Sequence, residues 1–138
     1  MDAQIFYKKG YKYQLAQDYE AKTNVVPKNE TITTEYITLL PDGTLRIKKG
    51  YAWDGPSGPT IDTKSFMRGS LEHDAFYQLL RMKKLSEDWF KTINQRLRDV
   101  CREDGMSRFR AWYVWRGVSK FTKFATKPKN AKKVIVAP

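Results

Sequence analysis

Cysteine and histidine are almost absent from this chain of 138 residues, which has one of each. The single Cys101 excludes an internal disulfide, so folding does not need an oxidising compartment. The scarcity also argues against a zinc site and against the two-histidine metal site of phosphohydrolases. No apolar run approaches the roughly 18 residues of a membrane span, and the start has no apolar signal-peptide core. These absences predict a protein that is kept in a reducing cytoplasm.

Acidic residues are missing from the C-terminal part of the chain, where no Asp or Glu follows Arg108. The whole chain has a formal net charge of +11. Such an excess attracts nucleic acid, an anionic membrane surface or an acidic protein. A solvated surface without a specific site produces the same charge balance, so charge alone leaves the partner open.

The length and composition are those of one globular domain, with 41% apolar and 30% charged residues. We expect a single domain over residues 1–126 and a basic C-terminal tail over residues 127–138. The tail contains a short apolar patch, Val134-Ile135-Val136, which either packs on the domain, extends a sheet edge or binds a partner.

The first half of the chain has the alternation and the turn residues of β-structure. Residues 11–17 and 31–40 are predicted strands, separated by a loop over 23–29 that contains Pro27. Pro41-Asp42-Gly43 has turn chemistry and residues 45–47 return as a strand, so residues 32–48 are predicted to form a hairpin.

Three helices are predicted in the second half. The first has apolar residues at three- and four-residue intervals from Phe66 to Leu80. The second covers about 87–103, with Ser86 as N-cap and Gly105 past its end. The third covers about 108–125. Antiparallel strands followed by three packed helices make an α+β domain.

Residues 50–81 combine a rigid loop with the only histidine. Residues 53–59, Trp-Asp-Gly-Pro-Ser-Gly-Pro, contain two glycines and two prolines, which exclude a helix or a central strand. The helix that follows carries His73 and Asp74. His73 and Tyr77 are four residues apart and share one helical face. A loop followed by this helix has the layout of a functional site.

Residues 45–124 resemble a family of small phage and bacterial proteins that is defined as a domain of unknown function. The chain has its Gly-aromatic-x-x-Asp-x-x-Ser loop at residues 50–57 and its His-Asp-x-x-Tyr helix at residues 73–77. Later helices match at Asp88-Trp89-Phe90 and at residues 110–113. The resemblance implies a phage-type protein of the host cytoplasm or the virion, and it implies no settled activity.

The same residues also resemble the core of phospholipase A2, in which a calcium loop precedes a His-Asp-x-x-Tyr helix. This resemblance implies a lipid-ester hydrolase with His73 as the general base that deprotonates water. It also implies that Asp88, on the second helix, orients His73 and that Tyr77 supports the network. A basic surface would suit a substrate in an anionic membrane.

The phospholipase resemblance further implies bound Ca²⁺, with Asp54, Gly55 and Asp74 at the metal. Calcium prefers carboxylate and carbonyl oxygens, which a glycine-containing loop can direct to one point. The disulfides that brace these enzymes cannot form here, because Cys101 is the only cysteine.

Other interpretations of these residues stay open. His73 is alternatively a satisfied structural residue, and Asp54 alternatively caps a turn. If the first two helices pack antiparallel about a turn near Lys84, Asp88 lies about 9 Å too close to that turn to reach His73. Asp88 would then pair with Arg81. Whether the protein is an enzyme also stays open, since the alternative is a non-enzymatic basic phage protein that binds nucleic acid, virion components or a host factor.

Overall fold

The computed structural model describes residues 7–8, 13–53 and 64–126. Within these ranges antiparallel strands in two sheets precede three helices, so the α+β prediction is confirmed. The strands are β1 (Tyr7–Lys8), β2 (Tyr13–Leu15), β3 (Tyr19–Lys22), β4 (Ile32–Thr33), β5 (Ile37–Leu39), β6 (Thr44–Ile47) and β7 (Ala52–Trp53). One sheet has the order β1-β2-β7 and the other β3-β6-β5-β4.

The predicted hairpin over 32–48 is present as the pair β5–β6, joined by the turn at Pro41-Asp42-Gly43. Gly43 has a φ of +93°, which a glycine adopts without a steric penalty. Its carbonyl oxygen accepts hydrogen bonds from the backbone N and from Oγ1 of Thr23, at 2.8 and 2.7 Å. The turn is therefore anchored to the loop that follows β3.

Residues 31–40 do not form the single strand that was predicted. They form β4 and β5, which pair antiparallel with Ile32 opposite Leu39. Thr34 closes the reversal between them, because its N donates to the carbonyl of Ile37 at 2.7 Å and its Oγ1 accepts from the N of Ile37 at 3.0 Å. Of the predicted strand over 11–17, residues 13–15 form β2. The sequence did not predict β3.

The helices are α1 (Lys64–Arg81), α2 (Phe90–Glu103) and α3 (Arg108–Thr126). A 3₁₀ turn over Glu87–Trp89 precedes α2, so the predicted helix over 87–103 begins with a tighter turn. The predicted cap is confirmed, since Ser86 Oγ accepts from the N of Asp88 at 3.1 Å. Gly105 ends this segment with a φ of +99°.

Helix α1 is buried on nearly all sides, because the sheets cover one side and α2 the other. The sheet side is held by Trp53 Nε1, which donates to Ser70 Oγ at 3.1 Å, and by Tyr51 OH, which donates to Gln78 Oε1 at 3.2 Å. Helix α3 packs on α2. Among the described residues no helix has both the length and the apolar character to cross a membrane.

The crossing of α1 and α2 is close because α1 has a glycine there. A Cβ on Gly69 would lie 2.9 Å from Cδ1 of Leu97 and 3.0 Å from Sγ of Cys101. The absence of a side chain at Gly69 brings polar residues one turn further along α1 against the inner face of α2.

Candidate functional site

The candidate site lies between α1 and α2 and is centred on a side-chain amide. Asn94 Oδ1, on α2, lies 2.9 Å from Nε2 of His73 on α1. The same oxygen accepts a hydrogen bond from the hydroxyl of Tyr77 at 2.7 Å. The centres of the His73 and Tyr77 rings lie 4.0 Å apart, as their spacing of four residues on one helix predicts. Asn94 therefore fixes the histidine and the tyrosine of the His-Asp-x-x-Tyr motif.

This geometry defines the tautomer of His73. An amide oxygen only accepts hydrogen bonds, so Nε2 must carry the proton that points at Asn94. The other ring nitrogen, Nδ1, then keeps its lone pair. Nδ1 makes no hydrogen bond to any residue in the described ranges. A neutral imidazole held in this way presents Nδ1 as a proton acceptor.

The surroundings of His73 keep it neutral. Only 9% of the residue is exposed, and burial lowers the pKa of His73 to about 4. The positive charge of Arg81 lowers the pKa further, while the hydrogen bond to Asn94 opposes the shift. His73 is consequently deprotonated at neutral pH. Its lowered pKa also makes it a weaker proton acceptor than a histidine with an ordinary pKa.

Asp88 is not the partner of His73. It lies exposed in the 3₁₀ turn, and its side chain contacts neither His73 nor Arg81 within the described part of the chain. The orienting role that the phospholipase resemblance assigns to Asp88 is filled by Asn94. The structure has no ion pair between Asp88 and Arg81, and among the described residues Nε of Arg81 is buried without a hydrogen-bond partner.

Helix lengths explain why Asn94 and not Asp88 is level with His73. From His73 to the end of α1 at Arg81 the helix rises about 12 Å. On the other side of the connection, the 3₁₀ turn contributes about 6 Å and the first turn of α2 about 6 Å more before Asn94 is reached. Asp88 lies in the 3₁₀ turn, close to the connection between the helices and therefore far from His73 along the helix axis.

One of the three residues implied for Ca²⁺ lies in the described part of the chain. Asp74 follows His73 on α1 and is half-buried. Asp54 and Gly55 lie outside the described residues. Among the residues that are described, no group of three or more His, Cys, Asp and Glu side chains is placed to hold a metal ion. The fit to Ca²⁺ therefore depends on Asp74 together with Asp54 and Gly55.

A buried carboxylate beside His73 connects the sheet with both helices. Glu72 is 2% exposed and accepts from Tyr19 OH on β3 at 2.5 Å. It also accepts from Nε and Nη2 of Arg96 on α2, at 2.6 and 3.2 Å. A bidentate Arg–carboxylate pair in a buried position is among the stronger hydrogen-bonded contacts. This network holds α1 and α2 in register on either side of the His73–Asn94 contact.

A second ion pair holds the opposite end of the α1–α2 contact. The side chain of Arg68 is 4% exposed, and its Nη2 lies 2.8 Å from Glu103. Its Nε and Nη2 each lie 3.1 Å from a carboxylate oxygen of Asp104. Because Arg68 is buried, removing both carboxylates would leave an uncompensated charge at this end of the helix contact.

Cys101 has no place in the candidate chemistry. It is fully buried, and burial raises the pKa of its thiol to about 12. A thiol in that state is a packing residue rather than a nucleophile.

Sequence reasoning missed Asn94, although a signal for it existed. Asn94 is four residues after Phe90 and three before Leu97, which puts it in the middle of the apolar face of α2. A polar residue at such a position needs a buried partner, because an unpaired buried amide is costly. The His73–Tyr77 pair on α1 is that partner.

No family model, no curated protein and no solved structure matches this chain.

Proposed function

We propose that this protein is a phage-type hydrolase that cleaves an ester of an anionic lipid, with His73 as its general base. The observation that carries the proposal is the orientation of His73, whose Nε2 is held by Asn94 while Nδ1 keeps a lone pair. Tyr77 supports the base by hydrogen bonding to the same amide oxygen. We further propose that the protein acts in the host cytoplasm or within the virion.

In the proposed reaction a water molecule donates its proton to Nδ1 of His73 as its oxygen attacks the ester carbonyl. The tetrahedral intermediate then breaks its bond to the alcohol oxygen, and the departing alkoxide takes the proton back from Nδ1 to leave as the alcohol. The imidazolium that forms is paired through Nε2–H with the neutral amide of Asn94 rather than with a carboxylate at that nitrogen. The base is correspondingly weak, and we expect slow turnover. Asp74, together with Asp54 and Gly55, would hold Ca²⁺, and a bound Ca²⁺ would supply polarisation of the ester carbonyl.

The low pKa of His73 gives the proposal a distinctive pH dependence. A general base works in its deprotonated form, which is present above its pKa. With a pKa of about 4, His73 stays deprotonated at pH 5, where a histidine with an ordinary pKa of about 6.5 is mostly protonated. We expect kcat/KM to stay nearly constant from pH 7 to pH 5.

The test is hydrolysis of phosphatidylglycerol vesicles with and without Ca²⁺. His73→Gln should lower the rate by about 10²- to 10⁴-fold, the usual contribution of a general base. Asp88→Asn is the matched control, because Asp88 is exposed and does not contact His73. Equal activity of the wild type and His73→Gln would remove the hydrolase proposal, and equal loss in Asp88→Asn would contradict the assignment of Asn94.

Metal binding is tested separately by calorimetric titration with Ca²⁺. Heat of binding that disappears in both Asp74→Asn and Asp54→Asn would support the metal role of the loop and helix. A wild-type chain that binds no Ca²⁺ at millimolar concentration would exclude the calcium part of the proposal.

A non-enzymatic function is the second candidate, and the burial of His73 favours it. With 9% of the residue exposed and Nε2 engaged by Asn94, the His73–Tyr77 pair also suits a purely structural role. The protein would then act by binding an acidic macromolecule such as nucleic acid, a virion component or a host protein. His73→Gln would lower stability in that case, without changing binding.

A further inference from the structure

The outward side of α3 presents aromatic side chains to solvent. Phe109, Trp112 and Tyr113 are 74%, 38% and 58% exposed. Their spacing of three and four residues puts them on one side of the helix, with Arg116 one turn beyond. We call these four residues the aromatic–basic face. The opposite side of α3 is already used, because Ala111 and Val114 are buried against α2.

Two arginines lie against aromatic rings of α3, one of them within the aromatic–basic face. The guanidinium of Arg116 lies 5.7 Å from the centre of the Trp112 ring. From the neighbouring helix, Arg98 lies 5.3 Å from the centre of the Trp115 ring. The contact of Arg116 with Trp112 holds a cation beside the exposed rings of the aromatic–basic face. The sequence of α3 continues the pattern with Lys120 and Lys123, and it contains no acidic residue.

The positive charge of the aromatic–basic face argues against some occupants and in favour of an anionic one. A second copy of the chain would bring the same cations against each other, and the tail over 127–138 is itself basic. Both are therefore disfavoured as occupants. A lipid surface suits a helix whose cations and apolar residues lie on opposite sides, whereas α3 has both on one side. Exposed rings alternating with cations instead match a strand that offers bases for stacking and phosphates for pairing.

The geometry points to the aromatic–basic face as a binding surface for single-stranded nucleic acid. Phe109 and Tyr113 stack on unpaired bases, and Arg116 pairs with the phosphate backbone. Duplex nucleic acid is a poorer ligand, because its bases are already stacked on each other and their faces are not accessible. Binding does not depend on hydrolysis at His73, which lies buried between α1 and α2.

The experiment is a fluorescence-anisotropy titration of a labelled oligothymidylate of about 20 nucleotides with the full-length protein. Phe109→Ala and Tyr113→Ala should each weaken binding by roughly 5- to 100-fold, the usual effect of losing one base–aromatic stack. Both residues are largely exposed, so these substitutions leave the core intact. Retained helical circular dichroism in each variant confirms that the chain is folded.

Arg116→Ala tests the phosphate contact through the dependence on salt. We expect the slope of log Kd against log salt concentration to decrease in magnitude by about 0.7, the value for one phosphate contact to a single strand. Lys49→Ala is the matched control, because it removes an exposed cation on the sheet side of the chain. It should change neither the slope nor the affinity measurably.

Three results would overturn the proposal. The first is no binding of the oligonucleotide at about 50 mM salt. The second is binding that Phe109→Ala and Tyr113→Ala leave unchanged, which would assign it to another basic segment. The third is tight binding to phosphatidylglycerol vesicles that both substitutions abolish while the oligonucleotide competes poorly, which would make this a membrane surface. None of these results depends on whether His73→Gln abolishes lipid hydrolysis.

Discussion

Protonation of His73 should destabilise the folded protein at mildly acidic pH. Burial lowers its pKa to about 4 in the folded state, against about 6.5 in the unfolded chain. The unfolded state therefore binds more protons between these values, and stability falls as pH decreases from 6.5 towards 4. Integrating this difference, we expect a loss of about 2 kcal/mol between pH 7 and pH 5, approaching about 3 kcal/mol near pH 4.

The measurement is equilibrium urea unfolding at a series of pH values from 7.5 to about 4.5, compared with the same series for His73→Gln. His73 is the only histidine, so no other side chain has an ordinary pKa in the middle of this range. The variant removes the titrating group, and the difference in slope between the two series isolates its contribution. Any loss of stability that is common to all pH values is irrelevant to the comparison.

The same histidine can be observed directly by nuclear magnetic resonance, since its ring signals are unambiguous in a chain with one histidine. We expect no change in these signals between pH 7 and pH 5.5. A ring that titrates near pH 6.5, together with parallel stability curves for the wild type and His73→Gln, would refute the description of His73 as a buried neutral base.

The remaining predictions concern Asn94 and three glycines. Asn94→Asp places a carboxylate on Nε2 and should raise the pKa of His73 by about 1–3 units, observed in its ring signals; an unchanged pKa would contradict the 2.9 Å contact. Gly69→Ala should lower the free energy of urea unfolding by about 1 kcal/mol because its Cβ would overlap Leu97, whereas Gly117→Ala, with nothing within 4 Å, should raise it by up to about 1 kcal/mol. The opposite order of these two variants would refute the close helix crossing. Gly43→Ala should cost about 2 kcal/mol or more in the same assay, since its φ is +93° and its Cβ would lie 2.3 Å from the carbonyl oxygen of Thr23; wild-type stability would show that the turn relaxes.

Local chemistry explains which elements the sequence predicts well. The turn at Pro41-Asp42-Gly43, the cap at Ser86 and the end at Gly105 each depend on one residue and its neighbours, and all three are present. The reversal between β4 and β5 is harder to predict, because Thr34 closes it without Gly, Pro, Asn or Asp. A β-branched residue such as Thr34 is equally typical of the middle of a strand, so the sequence does not mark a reversal there.

The site is harder to predict than the fold because it depends on helix register. His73 and Tyr77 follow from a spacing of four on one helix, which sequence alone provides. Their partner is decided by how many residues separate two helices and by how tightly the first turn of the second is wound. The eight residues by which α1 continues past His73 are what place Asn94, rather than Asp88, level with it.

The Tyr19–Glu72–Arg96 network has a consequence for the order of folding. Its three members come from β3, α1 and α2, and Tyr19 is 53 residues from Glu72 in the chain. Closing so long a loop costs conformational entropy, and the buried carboxylate has no cationic partner from α2 until Arg96 is in place. We expect α1 to pack in its final position only when the sheet and α2 are both folded. The contact between His73 and Asn94 would then form late in folding. A ribosome-bound chain that ends before α2 would accordingly hold Glu72 away from the core until Arg96 emerges.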